Sequence, residues 1–158
     1  MSKQRASING GWPRGKCWCG KPCVGRRTAW CSDACAHAFK LKHWPSYLRG
    51  EVERRDHGVC AICALDTVAL HEAFAEVFYG APWARGPAWY DSFDDEVSDR
   101  ARALGFDPRR RTWWDADHIV AVVEGGGECG LENMRTLCQP CHRRITADLR
   151  HRLRQRVR

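Results

Sequence analysis

The sequence predicts an α+β fold in which a short β-hairpin is followed by a helix and preceded by further helices. The stretch HIVAVV at 118–123 is apolar and β-branched, which favours a strand, and the glycine-rich EGGGECG after it favours a turn. The segment MRTLC at 134–138 is suited to a short returning strand. Apolar residues then recur every four positions, as they do along one face of a helix, at Ile145, Leu149, Leu153 and Val157.

Two pairs of cysteines, each with two residues between its members, predict a structural metal site. Cys60 and Cys63 lie in CAIC, and Cys138 and Cys141 lie in CQPC. In a reducing compartment such pairs favour metal binding over disulfides, and four thiolates satisfy the tetrahedral preference of zinc. A zinc ion there would clamp the end of the hairpin and the start of the last helix onto the earlier segment. The alternative is that these four are ordinary buried thiols.

A second cysteine-rich unit, KCWCGKPCVGRRTAWCSDACAHAFK, lies near the N-terminus and carries five cysteines, one more than a tetrahedral zinc needs. Ser32 is suited to cap a helix that begins at Asp33 and ends near His43. Cysteines on both sides of that helix start favour a treble-clef-like zinc knuckle. The predicted ligands of this second zinc are Cys17, Cys19, Cys31 and Cys35, with Cys23 as an alternative. The remaining N-terminal cysteine and Cys129 are expected to be free thiols.

These patterns divide the chain into six segments. Residues 1–16 are polar and expected to be flexible, and residues 17–44 form the N-terminal zinc knuckle. Residues 45–66 carry a helix from Pro45 to Asp56 that ends near Gly58 and leads into the first half of the zinc clamp. Residues 67–112 are a helical insert, with helices predicted at 68–79 and 92–104. Residues 113–150 form the hairpin and helix core, and residues 151–158 form a basic C-terminal tail.

Charge is distributed unevenly along the chain. Residues 1–65 carry 12 Lys and Arg against 4 Asp and Glu, residues 66–108 carry 3 against 9, and residues 109–158 carry 11 against 6. The basic, cysteine-bearing segments favour a polyanionic partner such as nucleic acid, although such charge can also serve solubility alone. Because no apolar run has membrane-spanning length and the N-terminus has no apolar signal segment, we expect an intracellular protein without membrane contact.

A candidate cation site lies between the hairpin and the last helix. His142 directly follows the last zinc-binding cysteine, on the helix face that must pack against the hairpin, and so is expected to face Asp117 and His118. A carboxylate and an imidazole that converge in this way can hold a divalent cation, with other positions open to water and phosphate oxygens. The alternative is that His118 is a hydrogen-bonded core residue and that His142 is a spare zinc ligand.

DHIVAVVEGGG together with LENMRTLCQPCH resembles the HNH motif of the ββα-metal endonucleases, with His118, Asn133 and His142 at its three named positions. The upstream CWCGKPC and WCSDAC segments, the helix into HGVCAIC and the helical insert are similar to the HNH domain at the C-terminus of a vertebrate SNF2-type annealing helicase. The similarity extends over about residues 16–149. It implies a small zinc-stabilised ββα-metal core with a treble-clef-like N-terminal zinc knuckle and added helices.

The resemblance also implies an activity, that of a metal-dependent DNA endonuclease that hydrolyses phosphodiester bonds. His118 would be the general base, Asp117 and His142 would hold one divalent cation such as Mg²⁺ or Mn²⁺, and Asn133 would fix the loop that orients His118. Many family members have proline at the position of Ala121, a departure expected to change strand geometry slightly. The arginines expected to contact DNA phosphates are Arg109, Arg110, Arg111, Arg143 and Arg144.

Two other functions fit the sequence less well. The first is a non-catalytic zinc-dependent DNA-binding module of the same fold. The complete set of Asp117, His118, Asn133 and His142 argues against it, because a pure binder has no use for an open metal position. The second is a zinc-knuckle adaptor that binds a protein partner through the acidic, aromatic helical insert.

Overall fold

The computed structural model of the chain describes residues 15–79 and 95–156. Within these ranges the elements are helices and one two-stranded antiparallel sheet, which confirms the predicted α+β class. No helix in the described ranges is both long enough and apolar enough to cross a membrane. In chain order the elements are α1 (Asp33–His43), α2 (Pro45–Asp56), α3 (Thr67–Tyr79), α4 (Asp95–Ala103), β1 (Trp114–His118), β2 (Met134–Cys138) and α5 (Gln139–Arg156).

The first two helices begin and end where the local sequence dictates. The Ser32 side chain accepts a hydrogen bond of 3.1 Å from a backbone N–H in the first turn of α1, as expected for a capping serine. Helix α2 follows after Trp44 and begins with Pro45. Proline is tolerated there because the backbone N–H groups of the first turn have no acceptor within the helix, so no hydrogen bond is lost. It ends at Asp56, and His57 then adopts a left-handed conformation with φ of 52°. The predicted bounds of α2 are confirmed.

The helices of the insert and the last helix lie close to their predicted bounds. Helix α3 begins one residue before the predicted 68–79. The described part of α4 falls within the predicted 92–104, and residues 92–94 lie outside the described ranges. Helix α5 continues without a break past residue 150 to Arg156. The expectations for the N-terminal residues 1–14, for the break at 80–87 and for Val157 also fall outside the described residues.

The β-hairpin is confirmed, but its first strand lies earlier in the chain than predicted. Strand β2 has the predicted bounds, whereas β1 comprises WDADH and shares only His118 with the predicted strand at 118–123. The register places Trp114 opposite Cys138 and His118 opposite Met134.

The ladder stops after His118 because a side chain replaces the partner strand. The backbone N–H of Val120 donates to the Asn133 side-chain oxygen at 2.8 Å, and the Val120 carbonyl accepts from the Asn133 amide at 3.0 Å. Residues 119 to 123 therefore form an exposed loop with a 3₁₀ turn at Val122–Glu124, although their β-branched side chains favour a strand.

One face of the sheet is covered by the insert and by α5. Trp113 stacks on Phe106 with ring centroids 4.6 Å apart, and Phe74 of α3 meets the same indole edge-on at 5.1 Å. Leu137 of β2 and Ala101 of α4 are fully buried in the same cluster. The insert thus packs beside the C-terminal cysteines.

The other face of the sheet packs against α2. Val52 and Trp114 are fully buried there, and Met134 is nearly so. The Arg49 guanidinium lies 3.8 Å from the centre of a Trp114 ring and donates a hydrogen bond of 3.1 Å to the Trp114 carbonyl. The α2 helix therefore contacts β1 through both apolar and cationic groups.

Hydrogen bonds to buried groups of β2 also fix the end of α2 to that strand. Asp56 accepts hydrogen bonds from the Thr136 backbone N–H at 3.1 Å and from its hydroxyl at 3.0 Å. The Thr136 carbonyl accepts from Ala61 at 2.8 Å, so both backbone groups of this fully buried residue are satisfied by the segment around the end of α2. Arg55 donates to the carbonyls of Leu131 and Met134, each at 2.7 Å.

We predict that Asp56→Ala lowers the free energy of unfolding by about 1–3 kcal/mol, because it leaves the buried Thr136 N–H and hydroxyl without an acceptor. The hydrogen bonds from Arg55 and Thr136 hold the pKa of Asp56 below its usual range despite burial. The contribution of Asp56 should therefore be present above about pH 4 and disappear as the pH falls through the lower folded-state pKa.

The measurement is urea unfolding of wild type and variant between neutral and acidic pH, compared as differences so that effects common to both cancel. The matched control is Asp99→Ala, which removes an exposed pair with Arg102 at 2.8 Å and should change stability by less than about 0.5 kcal/mol. Equal destabilisation by the two variants would contradict a special role for Asp56.

Candidate active site

Eight of the ten cysteines form two groups, each with four sulfur atoms within 4.8 Å of one another. Cys19 Sγ lies 3.6 Å from Cys31 Sγ, and Cys63 Sγ lies 3.7 Å from Cys138 Sγ. Sulfurs at two corners of a zinc tetrahedron lie about 3.8 Å apart when each Zn–S bond is about 2.3 Å. A disulfide would bring two sulfurs to about 2.0 Å. Both groups therefore have the spacing of a zinc site that could accept an ion.

The two groups are the predicted ones. They are Cys17, Cys19, Cys31 and Cys35 near the N-terminus, and Cys60, Cys63, Cys138 and Cys141 in the core. Cys19 lies within the N-terminal group, whereas Cys23, the alternative ligand, lies outside it. Cys129 lies outside both groups, and no disulfide links any of the ten cysteines.

Within each group the crowded thiols have very different pKa values. Burial opposes the ionisation of Cys17 and Cys60, but hydrogen bonds from the backbone and from neighbouring thiols outweigh it and lower each pKa to about 6. The pKa of Cys31 is raised to about 12 by its hydrogen bond to Cys35 and by burial. Burial is also the main cause that raises the pKa of Cys138. A cation at the centre of such a group would favour the thiolate at every position.

The core cysteine group lies at the start of α5. Cys138 is the last residue of β2, and Cys141 lies in the first turn of α5, one residue before His142. Cys60 and Cys63 lie just after α2. A metal that joins these four would hold the start of α5 against both β2 and α2, and it would thereby fix the backbone of His142.

Two carboxylates of β1 flank the His142 imidazole. Asp115 and Asp117 are two positions apart on the strand, so both side chains lie on the sheet face that α5 covers. Asp115 Oδ2 lies 3.0 Å from His142 Nδ1, and Asp117 Oδ1 lies 3.8 Å from His142 Nε2. Each ring nitrogen of His142 thus faces a different carboxylate.

Asp115 is held in its ionised form by Arg110. Burial raises the pKa of Asp115, but hydrogen bonds from Arg110 at 2.5 and 3.1 Å, together with the charge of Arg110 and the contact with His142, outweigh it and keep that pKa below its usual range. An ionised carboxylate can only accept, so Nδ1 of His142 carries the proton of their hydrogen bond. In the neutral imidazole, Nε2 then presents a lone pair toward Asp117.

Asp117 is held by the neighbouring strand. Arg135 lies directly opposite it in the register and donates to Oδ2 from Nε at 3.0 Å and from Nη2 at 2.9 Å. The other oxygen, Oδ1, is the one that faces His142.

Asp117 and His142 have the donor atoms and the spacing for one divalent cation. Two atoms that each lie about 2.1 Å from a shared ion are no more than about 4.2 Å apart. The 3.8 Å between Oδ1 and Nε2 fits that limit. The His142 side chain is 37% exposed, which leaves access for water and for a substrate oxygen.

His118 lies apart from this cluster. It is the last residue of β1, and alternation along the strand places its side chain on the face of Trp114, opposite that of Asp117. Its imidazole is partly exposed and makes no hydrogen bond to any residue in the described ranges. The structure thus brings Asp117 and His142 together, whereas His118 lies at the end of the strand on the opposite face of the sheet.

Asn133 holds the loop that follows His118. Besides its two hydrogen bonds to the Val120 backbone, its side-chain amide donates to the Gly126 carbonyl at 2.9 Å. Its own backbone carbonyl accepts from Ile119 at 2.8 Å. A Cβ at Gly126 would overlap the Val120 carbonyl, so only glycine permits this close approach.

The five predicted phosphate contacts are not equivalent. Arg109, Arg111 and Arg144 are exposed. Arg110 is the partner of Asp115, and Arg143 donates to the Gly105 carbonyl. Two of the five therefore have structural contacts within the protein.

Asp115 and Arg135 are the residues of this site that the sequence analysis missed. The i, i+2 spacing of Asp115 and Asp117 carried the signal for a shared face, but the misplaced first strand concealed it. Nothing in the sequence alone identified Arg135, because its position opposite Asp117 follows from the register.

Comparison with known proteins places this geometry in a family. Residues 106–148 match the family model of the HNH endonuclease. The protein named DNA annealing helicase and endonuclease ZRANB3 from Mus musculus is 32% identical over 136 residues, which cover 78% of this chain and 12% of that relative. The protein of the same name from Homo sapiens is 32% identical over 118 residues, which cover 74% of this chain and 11% of the relative.

This chain therefore spans only 11–12% of the length of these relatives. No solved structure matches it. The matched segment contains β1, β2 and the first half of α5, which are the elements that carry Asp115, Asp117 and His142. Residues 106–148 of this chain are a domain of the HNH endonuclease family.

Proposed function

We propose that this protein is a metal-dependent DNA endonuclease that hydrolyses phosphodiester bonds at a site where Asp117 and His142 hold a cation and His118 lies at the adjacent strand end. The observation that carries the proposal is the fixed orientation of His142, whose Nδ1 bonds to Asp115 while its Nε2 faces Asp117. A histidine needed only for packing would have no use for a second carboxylate 3.8 Å from its other nitrogen. The endonuclease name of the relatives supports DNA as the substrate.

Asp117 and His142 would hold one divalent cation such as Mg²⁺ or Mn²⁺. When bound, the cation supplies positive charge beside the scissile phosphate and the departing oxygen. Asp115 keeps His142 in the tautomer with a free Nε2 lone pair, and Arg110 keeps Asp115 ionised. Arg135 holds one oxygen of Asp117, so the other is already directed toward the cation site.

His118 would act as the general base. An unprotonated imidazole nitrogen of His118 accepts a proton from the attacking water as the new P–O bond forms and the bond to the 3′ oxygen breaks. At the end of a strand, side chains on opposite faces can both act on a phosphate that lies beyond the strand end. His118 and a cation held by Asp117 would therefore act on one phosphate from two sides.

The arginines of α5 would bind the DNA backbone. The described helix carries six arginines against one aspartate, Asp148, and Arg144 and Arg150 are exposed on it. Arg109 and Arg111 add exposed positive charge near the start of β1. Such contacts position a duplex without reading its sequence, and their strength falls with added salt.

The first prediction concerns catalysis. His118→Ala should lower DNA cleavage by a factor of about 10² to 10⁴ while DNA affinity and zinc content stay nearly unchanged, because a general base acts in the transition state. The assay is cleavage of supercoiled, single-stranded and branched DNA with Mg²⁺ or Mn²⁺, alongside binding by fluorescence anisotropy.

His151→Ala, which removes an exposed histidine of α5, is the matched control and should cut normally. Joint loss of binding and cleavage in His118→Ala would make His118 a structural residue, and full activity would remove it from catalysis. A wild-type protein that binds DNA but never cuts it with any divalent metal would be the non-catalytic DNA-binding module.

The second prediction concerns the cation. Asp115→Asn should weaken Mn²⁺ binding by about 10- to 100-fold, because the ligand His142 loses the carboxylate that fixes its tautomer and orientation. Mn²⁺ titration followed by electron paramagnetic resonance, on protein with its zinc retained, measures this without any turnover. His142→Ala should weaken Mn²⁺ binding further.

Asp148→Asn removes the same charge from an exposed position of α5 and should bind Mn²⁺ as wild type does. If Asp115→Asn matches this control, Asp115 has no role at the cation. If His142→Ala loses zinc or unfolds, His142 is structural and the cation assignment fails.

The third prediction concerns zinc. Protein purified without chelator should contain two zinc ions per chain, one for each group of four cysteines. Cys19→Ser should lose one zinc, whereas Cys23→Ser should keep both. In native protein a thiol reagent should label only Cys23 and Cys129. Elemental analysis that returns one zinc or none for wild type would contradict the assignment.

A further inference from the structure

The loop after His118 exposes four branched apolar side chains beside the candidate active site. The exposed fractions are 51% for Ile119, 48% for Val120, 61% for Val122 and 64% for Val123. These four residues are called the apolar loop below. Single exposed apolar residues are common on protein surfaces. Four within five consecutive residues form a contiguous apolar patch, and such patches usually mark an interaction surface.

The apolar loop is held in one conformation. Asn133 bonds to both backbone groups of Val120 and to the Gly126 carbonyl. At the far end, Glu124 lies 3.5 Å from Arg152 and 3.6 Å from Arg156 of α5. A loop fixed at both ends loses little conformational entropy when a partner packs on it.

The position of the loop identifies what can reach it. Its first residue, Ile119, directly follows His118, and Glu124, which directly follows Val123, lies against Arg152 of α5. Arg152 is ten residues beyond His142 on α5, which is about 15 Å along a helix and equals about four nucleotide steps of one DNA strand. A DNA strand with one phosphodiester at His118 and others at the arginines of α5 would therefore pass the apolar loop.

We propose that the apolar loop is a DNA-contacting wedge that packs against unstacked bases next to the cleaved bond. This inference rests on the proposed endonuclease function. Valine and isoleucine side chains have no polar atom with which to bind a phosphate, so their complementary surface on DNA is the sugar and the base face. Arginines of α5 bind the phosphates of the DNA backbone. The apolar loop packs against the base step that lies between those phosphates.

A wedge of this kind makes the enzyme selective for DNA shape. Apolar side chains inserted at a base step unstack it, which costs energy in an intact duplex. The cost is smaller where a mismatch already weakens stacking. The proposed substrate is therefore a duplex with a locally unstacked step, recognised without base-specific hydrogen bonds.

The test uses His118→Ala protein with Mg²⁺ and a short fluorescein-labelled duplex, either fully paired or with one central mismatch. Anisotropy should show an affinity for the mismatched duplex that is about tenfold higher than that for the fully paired duplex. In the double variant Val122→Thr with Val123→Thr, the two affinities should be about equal. Threonine keeps the shape of valine, and both positions are exposed, so the fold should be unaffected. Val24→Thr, at a residue that is 68% exposed and distant in sequence, is the matched control and should keep the preference.

Unchanged mismatch preference in the double variant would overturn the wedge, and it would leave the apolar loop as a surface for another protein. Equal loss in the Val24→Thr control would also overturn it, because the effect would not be local. Cleavage by the protein with wild-type His118 is assayed separately. If the protein with wild-type His118 does not cleave DNA but the mismatch preference still depends on the apolar loop, the endonuclease function is overturned and the DNA contact is retained. The two failures are therefore distinguishable.

Discussion

The geometry of the candidate active site depends on the junction at which four cysteines meet. Cys60 and Cys63 come from the segment after α2, Cys138 ends β2, and Cys141 lies in the first turn of α5. A two-stranded sheet offers little apolar area to α5, so packing alone fixes that helix weakly. Four thiolates on one ion would fix the start of α5 to the sheet. His142 is the next residue, and its position follows from that junction.

Next to that junction, a row of polar contacts extends across the sheet face. The row runs from Arg110 through Asp115, His142 and Asp117 to Arg135, with separations between 2.5 and 3.8 Å. Each carboxylate has an arginine on one side and the histidine on the other, and hydrogen bonds from Arg110 keep the pKa of Asp115 below its usual range despite burial. The longest separation is the one between Asp117 and His142, where a cation would fit. Arg110 is thus committed to Asp115, and Arg135 to Asp117.

Much of the framework could be predicted from the sequence because its signals are local. The serine before α1, the proline at the start of α2 and the cysteine spacings each act within a few residues, and the structure agrees with them. The first strand was misplaced because the β-branched HIVAVV has strand propensity, yet the side chain of Asn133, far along the chain, takes the hydrogen bonds of Val120. Asp115 was missed together with the strand that carries it, and Arg135 depends on register, which no local pattern contains.

Part of the acidic charge of the insert is paired within the insert itself. In the described part of the chain, Arg100 of α4 lies 2.5 Å from Glu96, and Arg102 lies 2.8 Å from Asp99. These pairs follow the spacing of three and four residues within one helix, so Glu96 and Asp99 need no arginine from α5. The insert can then contribute Ala101 and Phe74 to the core while the positive potential of α5 persists at its surface. If Glu96 and Asp99 were unpaired, they would compete with any polyanionic partner for the arginines of α5.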